Sequence, residues 1–122
     1  MNLKFLTKCL KSFAYALAGI KVALYTQVNM AVHFTAALLA LTMAFYFNVS
    51  KTELGLIVLC IAMVIATELI NTAIELLCDF IHPDRHEKIK QIKDISAGAV
   101  LITATAALVI GLVIFVPKLF LS

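Results

Sequence analysis

Residues 54–81 read LGLIVLCIAMVIATELINTAIELLCDFI, an apolar run interrupted by Glu68, Asn71, Glu75 and Asp79. A helix of about 20 predominantly apolar residues crosses the hydrocarbon core of a bilayer, and this stretch is long enough to do so. The spacing of its polar residues supports a helix. At about 100° per residue, Asn71 falls ~60° behind Glu68, Glu75 ~20° behind it and Asp79 ~20° ahead. All four share an arc of roughly 80°, with Thr72 close to it. The run therefore reads as a transmembrane helix with one polar stripe.

Two further runs flank it. Residues 30–47 are apolar apart from His33, Thr35 and Thr42, and residues 95–116 carry no charge before Pro117 and Lys118. Neither alternates polar and apolar residues as barrel strands do, so both read as spanning helices. Composition agrees. Of 122 residues, 63% are hydrophobic and only 14% charged, and the mean hydropathy is +1.05. Soluble domains are nearer half apolar and a quarter charged, and a small domain has too little interior to hide such an excess. A water-soluble fold is excluded, and a single domain over residues 1–122 is expected.

Residues 3–25 form a different kind of helix. Lys4, Lys8 and Lys11 fall at i, i+4 and i+7 on one face, opposite Leu3, Phe5, Leu6, Leu10, Phe13 and Leu17. Such a helix suits the membrane interface. The lysines also break any apolar core that a cleavable leader would need, so none is expected. The fold class is thus an all-α membrane protein, with an N-terminal amphipathic surface helix followed by three transmembrane helices (30–47, 54–81 and 95–116). Small residues in the third span, including Ser96, Ala97, Gly98, Ala99, Ala104 and Gly111, allow close helix approach and predict self-association.

The basic residues set the expected topology. Lys4, Lys8, Lys11 and Lys21 precede the first span, and Arg85, Lys88, Lys90 and Lys93 sit between the second and third. Lys51 and Lys118 stand alone in the remaining segments. Lys/Arg-rich loops are cytoplasmic, which places the N-terminus and the 82–94 loop inside. The net charge is only +3, and no nucleic-acid partner is expected. Cys9, Cys60 and Cys78 have no metal-ligand spacing and read as small apolar residues.

Acids inside a membrane are costly, at ~2.5–3.5 kcal/mol for an Asp near the bilayer centre on insertion scales. The other spans contain no Lys or Arg to pair with them. The acids could snorkel to the interface, or compensating cations could come from the N-terminal helix, from the 82–94 loop or from bound metal. Oxygen ligands suit Mg²⁺, which commonly takes one or two carboxylates together with substrate phosphates. The 82–94 loop could bring positive charge to a polyphosphate and a further carboxylate, Asp94, to a metal. Gly19, Gly55, Gly98 and Gly111 are scattered, so no glycine-rich phosphate loop is present.

The series Glu68-Leu69-Ile70-Asn71-Thr72-Ala73-Ile74-Glu75, then Asp79, then Lys93-Asp94 ahead of an Ala-Gly-Ala-Val span, resembles the prokaryotic diacylglycerol kinase and undecaprenol kinase family. The resemblance covers essentially the whole chain. It implies a homotrimeric lipid kinase of the bacterial cytoplasmic (inner) membrane that uses ATP and Mg²⁺ at sites shared between subunits. By that resemblance Glu68 is the general base for the lipid hydroxyl and Glu75 a metal ligand. Asn71 holds the polar network, while Asp79, Lys93 and Asp94 position nucleotide and metal. Lys8, Lys11 and Tyr15 correspond to N-terminal positions near the nucleotide, and His86 to a loop histidine contacting it. The acceptor is undecaprenol or diacylglycerol, with the Ala-Gly-Ala-Val segment and the Pro117-Lys118 ending closer to the undecaprenol branch.

One departure stands out. Where the family usually has a second metal-binding Glu, this chain has Gln27, and Ala31 replaces a usual basic residue. Residues 1–52 contain no Asp or Glu, so no neighbouring acid fills the gap. A Gln carbonyl offers oxygen without charge, which predicts weakened metal binding and reduced turnover. The alternative expectation is a catalytically impaired relative that acts as a membrane scaffold.

Overall fold

The computed structural model describes residues 2–121. They form four helices: α1 (Leu3–Thr26), α2 (Val28–Tyr46), α3 (Lys51–Ile81) and α4 (Glu87–Leu121). The last three are long and apolar enough to cross a membrane, so the protein is an all-helical, multi-pass membrane protein.

Each boundary has a local cause. Asn2 caps α1 by accepting from the Lys4 amide at 3.0 Å. Gln27 alone separates α1 from α2; its extended backbone (φ −119°, ψ 117°) breaks the helix. After α2 the chain turns at Asn48, whose φ of 54° is left-handed, a conformation that Asn tolerates better than most residues. A capping box starts α3: the Glu53 amide donates to Ser50 Oγ at 3.1 Å, and the Ser50 amide donates to Glu53 Oε1 at 3.0 Å. Such reciprocal bonds satisfy amides that the first helical turn leaves free.

The helix bounds differ from the apolar runs most at α4. The expected 82–94 loop shrinks to residues 82–86, because the helix begins at Glu87. Hydropathy marks where lipid begins, whereas backbone bonding continues through Lys88, Lys90, Lys93 and Asp94. A Lys90–Asp94 pair at 2.7 Å spans one turn of this water-facing part. At the other end α4 continues past Pro117 to Leu121. Proline costs the backbone a hydrogen bond, but the final turn is tied to α3 by Lys118 Nζ, 2.9 Å from Glu53 Oε2. The remaining shifts are a few residues: α1 ends at 26, α2 covers 28–46, and α3 starts at 51.

α3 and α4 form an antiparallel hairpin crossed by polar rungs. From its turn outward these are Asp79–Lys93, Asn71–Ser96, Thr67–Thr103 and Glu53–Lys118. Near the open end Ala44, Ile57, Ile114 and Phe115 make a small buried cluster, and the Phe47 and Phe115 rings lie 6.2 Å apart. Most other apolar side chains face outward, including Leu38, Leu101 and Val113. That is what lipid permits, since hydrocarbon offers no hydrophobic penalty for exposure. Only Ala23 of α1 is buried. Contact with the bundle therefore gives α1 no packed apolar face.

Candidate functional site

The stripe begins buried inside the bundle at Glu68 and ends exposed at Asp79. Glu68 is 1% exposed, and neither of its carboxylate oxygens has a hydrogen-bond partner among the described residues. The nearest ionisable side chain is that of His33 on α2, whose Nε2 is 3.5 Å from Glu68 Oε2. One turn on, the buried Asn71 is engaged at both ends of its amide. Its Nδ2 donates to Glu75 Oε1 at 3.1 Å, and its Oδ1 accepts from Ser96 Oγ at 2.6 Å. Thr72 returns its hydroxyl to the Glu68 carbonyl at 2.9 Å, so it adds nothing to the Glu68 carboxylate.

Farther along, Glu75 is half-buried and Asp79 exposed. Asp79 accepts from Lys93 Nζ at 2.6 Å. Lys93 lies before the charge-free run of 95–116, and the Asp79 hydrogen bond, followed by its charge, holds the ammonium above its ordinary pKa. The same turn encloses an open cleft of about 370 Å³, lined by residues that include His82, Arg85, His86, Lys90, Lys93 and Asp94. Its basic side chains, Arg85, Lys90 and Lys93, outnumber its acids, Asp84 and Asp94, by one, a modest balance of the sign that attracts polyphosphate.

Not all the expected residues converge. His86 faces the cleft but also serves as the cap of α4, its Nδ1 accepting from the Lys88 amide at 3.1 Å. Asp94 is taken up by Lys90 at 2.7 Å. Lys8, Lys11 and Tyr15 are exposed on α1 and make no ion pair with the stripe among the described residues. Gln27 is half-buried at the α1–α2 junction, and its side chain does not cap α2.

The described residues contain no ready-made cluster of three or more His, Cys, Asp or Glu side chains that would cage a metal. A half-buried carboxylate such as Glu75 could still supply one oxygen ligand to Mg²⁺, which commonly takes one or two carboxylates together with phosphates. Two members of the polar network were not legible beforehand. His33 interrupts an apolar run, and Ser96 stands among small residues; only the packing of α2 and α4 against α3 reveals their partners.

A second concavity, a groove of about 460 Å³, runs along α2, α3 and α4. Alanines 36, 37, 40, 104 and 107 and Gly111 keep it open, larger aliphatic residues wall it, and His33 is its one ionisable side chain apart from the Cys60 thiol.

Membrane-length helices, an acid buried between them and a polar cleft at the α3–α4 turn define a polytopic membrane protein with a candidate intramembrane site, because an ionisable residue is costly in lipid unless it serves a function. Comparison with known proteins narrows the class. Residues 14–115 match the prokaryotic diacylglycerol kinase family. The chain is 40% identical to an undecaprenol kinase of Bacillus subtilis, over 93% of either chain. It is 35% identical to a diacylglycerol kinase of Synechocystis sp., over 90% of this chain and 63% of that protein. It is 28% identical to a diacylglycerol kinase of Escherichia coli, over 84% of each. The chain therefore belongs to the prokaryotic diacylglycerol kinase family and is a membrane-embedded lipid kinase.

Proposed function

We propose that this chain transfers the γ-phosphoryl group of ATP to the hydroxyl of a membrane lipid alcohol, with Glu68 as general base. The observation that carries the reading is the Glu68 carboxylate itself, buried in a spanning helix with both oxygens unpartnered. Such a group has no structural bond to lose when it takes a proton. In the transfer, Glu68 accepts the hydroxyl proton, the lipid oxygen bonds to the γ-phosphorus, and the bond to ADP breaks. Catalysis of this kind needs mainly positioning and charge neutralisation.

The other residues divide that work. Asn71, locked by Ser96, orients Glu75. Lys93, steered by Asp79, brings positive charge to the phosphates, and His86 and Asp94 sit at the same cleft. Lys8, Lys11 and Tyr15 would reach the nucleotide from α1 lying in the interface, consistent with its bare surface in a single subunit. Bound through Glu75 and the phosphates, Mg²⁺ would neutralise charge on the transferring group. The N-terminus and the α3–α4 turn are assigned to the cytoplasm, where ATP is available, in accord with their basic residues. A homotrimer would cover the apolar surface that one subunit leaves open. Undecaprenol is the favoured acceptor, supported by the 40% identity to an undecaprenol kinase.

A second reading, an impaired kinase retained as a scaffold, is favoured by one observation: Gln27 supplies no charge at a junction where the family resemblance calls for a Glu. Protein in vesicles given labelled ATP, Mg²⁺ and each alcohol in turn separates the two. The kinase reading expects labelled lipid phosphate, more from undecaprenol than from diacylglycerol. It also expects turnover reduced by about 10²–10⁴ in Glu68→Gln, the usual contribution of a general base. Full turnover in that variant would remove Glu68 from the role. No transfer from the parent, restored by Gln27→Glu, would establish the impaired reading.

A further inference from the structure

Glu68 poses a packing problem that the reading above does not resolve. A buried polar atom without a partner is uncommon and calls for a cause, and here both oxygens of one carboxylate are in that state. The amide nearest along the helix, that of Asn71, already serves Glu75 and Ser96. Thr72 is turned back to the backbone. On its own helix, Glu75 adds only like charge. α4 contributes Ser96, which is committed to Asn71. Among the described residues the remaining donor is His33 on α2, with Nε2 at 3.5 Å from Oε2. Its side chain is 18% exposed and lines the apolar groove. One imidazole thus joins the groove, whose apolar lining suits a hydrocarbon chain, to the buried carboxylate.

We propose that His33 is a positioning residue for phosphoryl transfer: its Nε2–H closes the present gap to hydrogen-bond Glu68 and aims the carboxylate at an acceptor hydroxyl reaching the end of the groove. The inference rests on Glu68 as base. The distance exceeds the usual 2.7–3.2 Å of an N–H···O bond, and catalytic contacts that are long without substrate commonly tighten when it binds. A neutral imidazole suffices, since it has one N–H donor when protonated on Nε2. The role needs a donor at this point and no charge. Gln can mimic it and Leu cannot.

The test compares His33→Leu, His33→Gln and Glu68→Gln in vesicles, each in the natural chain and with Gln27→Glu. His33→Leu is expected to lower kcat by about 10- to 100-fold, the scale of a misplaced reacting group, with KM for ATP and lipid unchanged. His33→Gln should recover most of that loss. Equal losses in the Leu and Gln variants, or none in either, overturn the proposal. Infrared spectra read the contact whether or not turnover is fast. The Glu68 band, assigned by its disappearance in Glu68→Gln, should shift in His33→Leu and return toward its position in His33→Gln. An unmoved band overturns the proposal even where activity falls. Full activity in Glu68→Gln would instead refute the base assignment, and the infrared shift would still report the His33–Glu68 contact independently.

Discussion

Replacing Ser96 by Ala removes one oxygen from a residue whose obvious role is to be small, and the structure predicts a measurable defect. Ser96 Oγ donates to Asn71 Oδ1 at 2.6 Å across the α3–α4 interface, and both residues are buried. In water, leaving a buried acceptor unpaired costs about 1–3 kcal/mol. Inside a membrane the unfolded reference also finds partners, and interhelical hydrogen bonds average ~0.6 kcal/mol with a maximum near 1.7. The second scale applies, because α3 and α4 remain helical in lipid when they separate. Ser96→Ala should therefore shift the unfolding equilibrium by roughly three- to eighteenfold. Alanine leaves no larger hole than the missing hydroxyl, so the cavity contribution is small. Unfolding in mixed micelles of increasing denaturing-detergent fraction, followed by circular dichroism, measures the change. Turnover should fall as well, since Asn71 would no longer hold Glu75 in one orientation. A variant as stable and as active as the parent would refute the claim that Ser96 anchors the network. Ser96→Thr, which keeps the hydroxyl, should retain the bond to Asn71.

Three other outcomes follow from the same geometry. Thr67→Val and Thr103→Val, combined in a double-mutant cycle, should show a coupling of ~0.6 kcal/mol from the hydroxyl pair at 2.9 Å, within the range for membrane hydrogen bonds; additive effects would mean the bond carries no energy. Lys93→Met should raise KM for ATP while leaving stability nearly unchanged, because Asp79–Lys93 is a largely exposed pair of the kind that contributes little to folding. Gln27→Glu should lower the Mg²⁺ concentration needed for half-maximal turnover, measured by Mg²⁺ titration at saturating ATP; an unchanged requirement would remove residue 27 from the metal's surroundings.

The apolar runs at 30–47, 54–81 and 95–116 determined membrane residence and helical class, because no other backbone arrangement satisfies its hydrogen bonds in hydrocarbon without closing a barrel. Helical periodicity alone put Glu68, Asn71, Glu75 and Asp79 on one face. The motif around them was specific enough to indicate a lipid kinase family, and Gln27 stood out against it. Helix ends were less legible. Hydropathy registers the lipid boundary, so the apolar run of 95–116 omits both the charged first turns of α4 and its last turn past Pro117, where Lys118 pairs with Glu53.

Only the tertiary structure decided which residues meet across helices. Nothing in hydropathy sets the register of α4 against α3, because small residues in lipid pack by close contact over many possible offsets. The observed register makes Ser96 the partner of Asn71, Thr103 that of Thr67 and Lys93 that of Asp79. The seating of α2 brings His33 beside Glu68 by the same kind of contact. The polar stripe was written in one helix, but its partners belong to two others and became identifiable only when all three were packed.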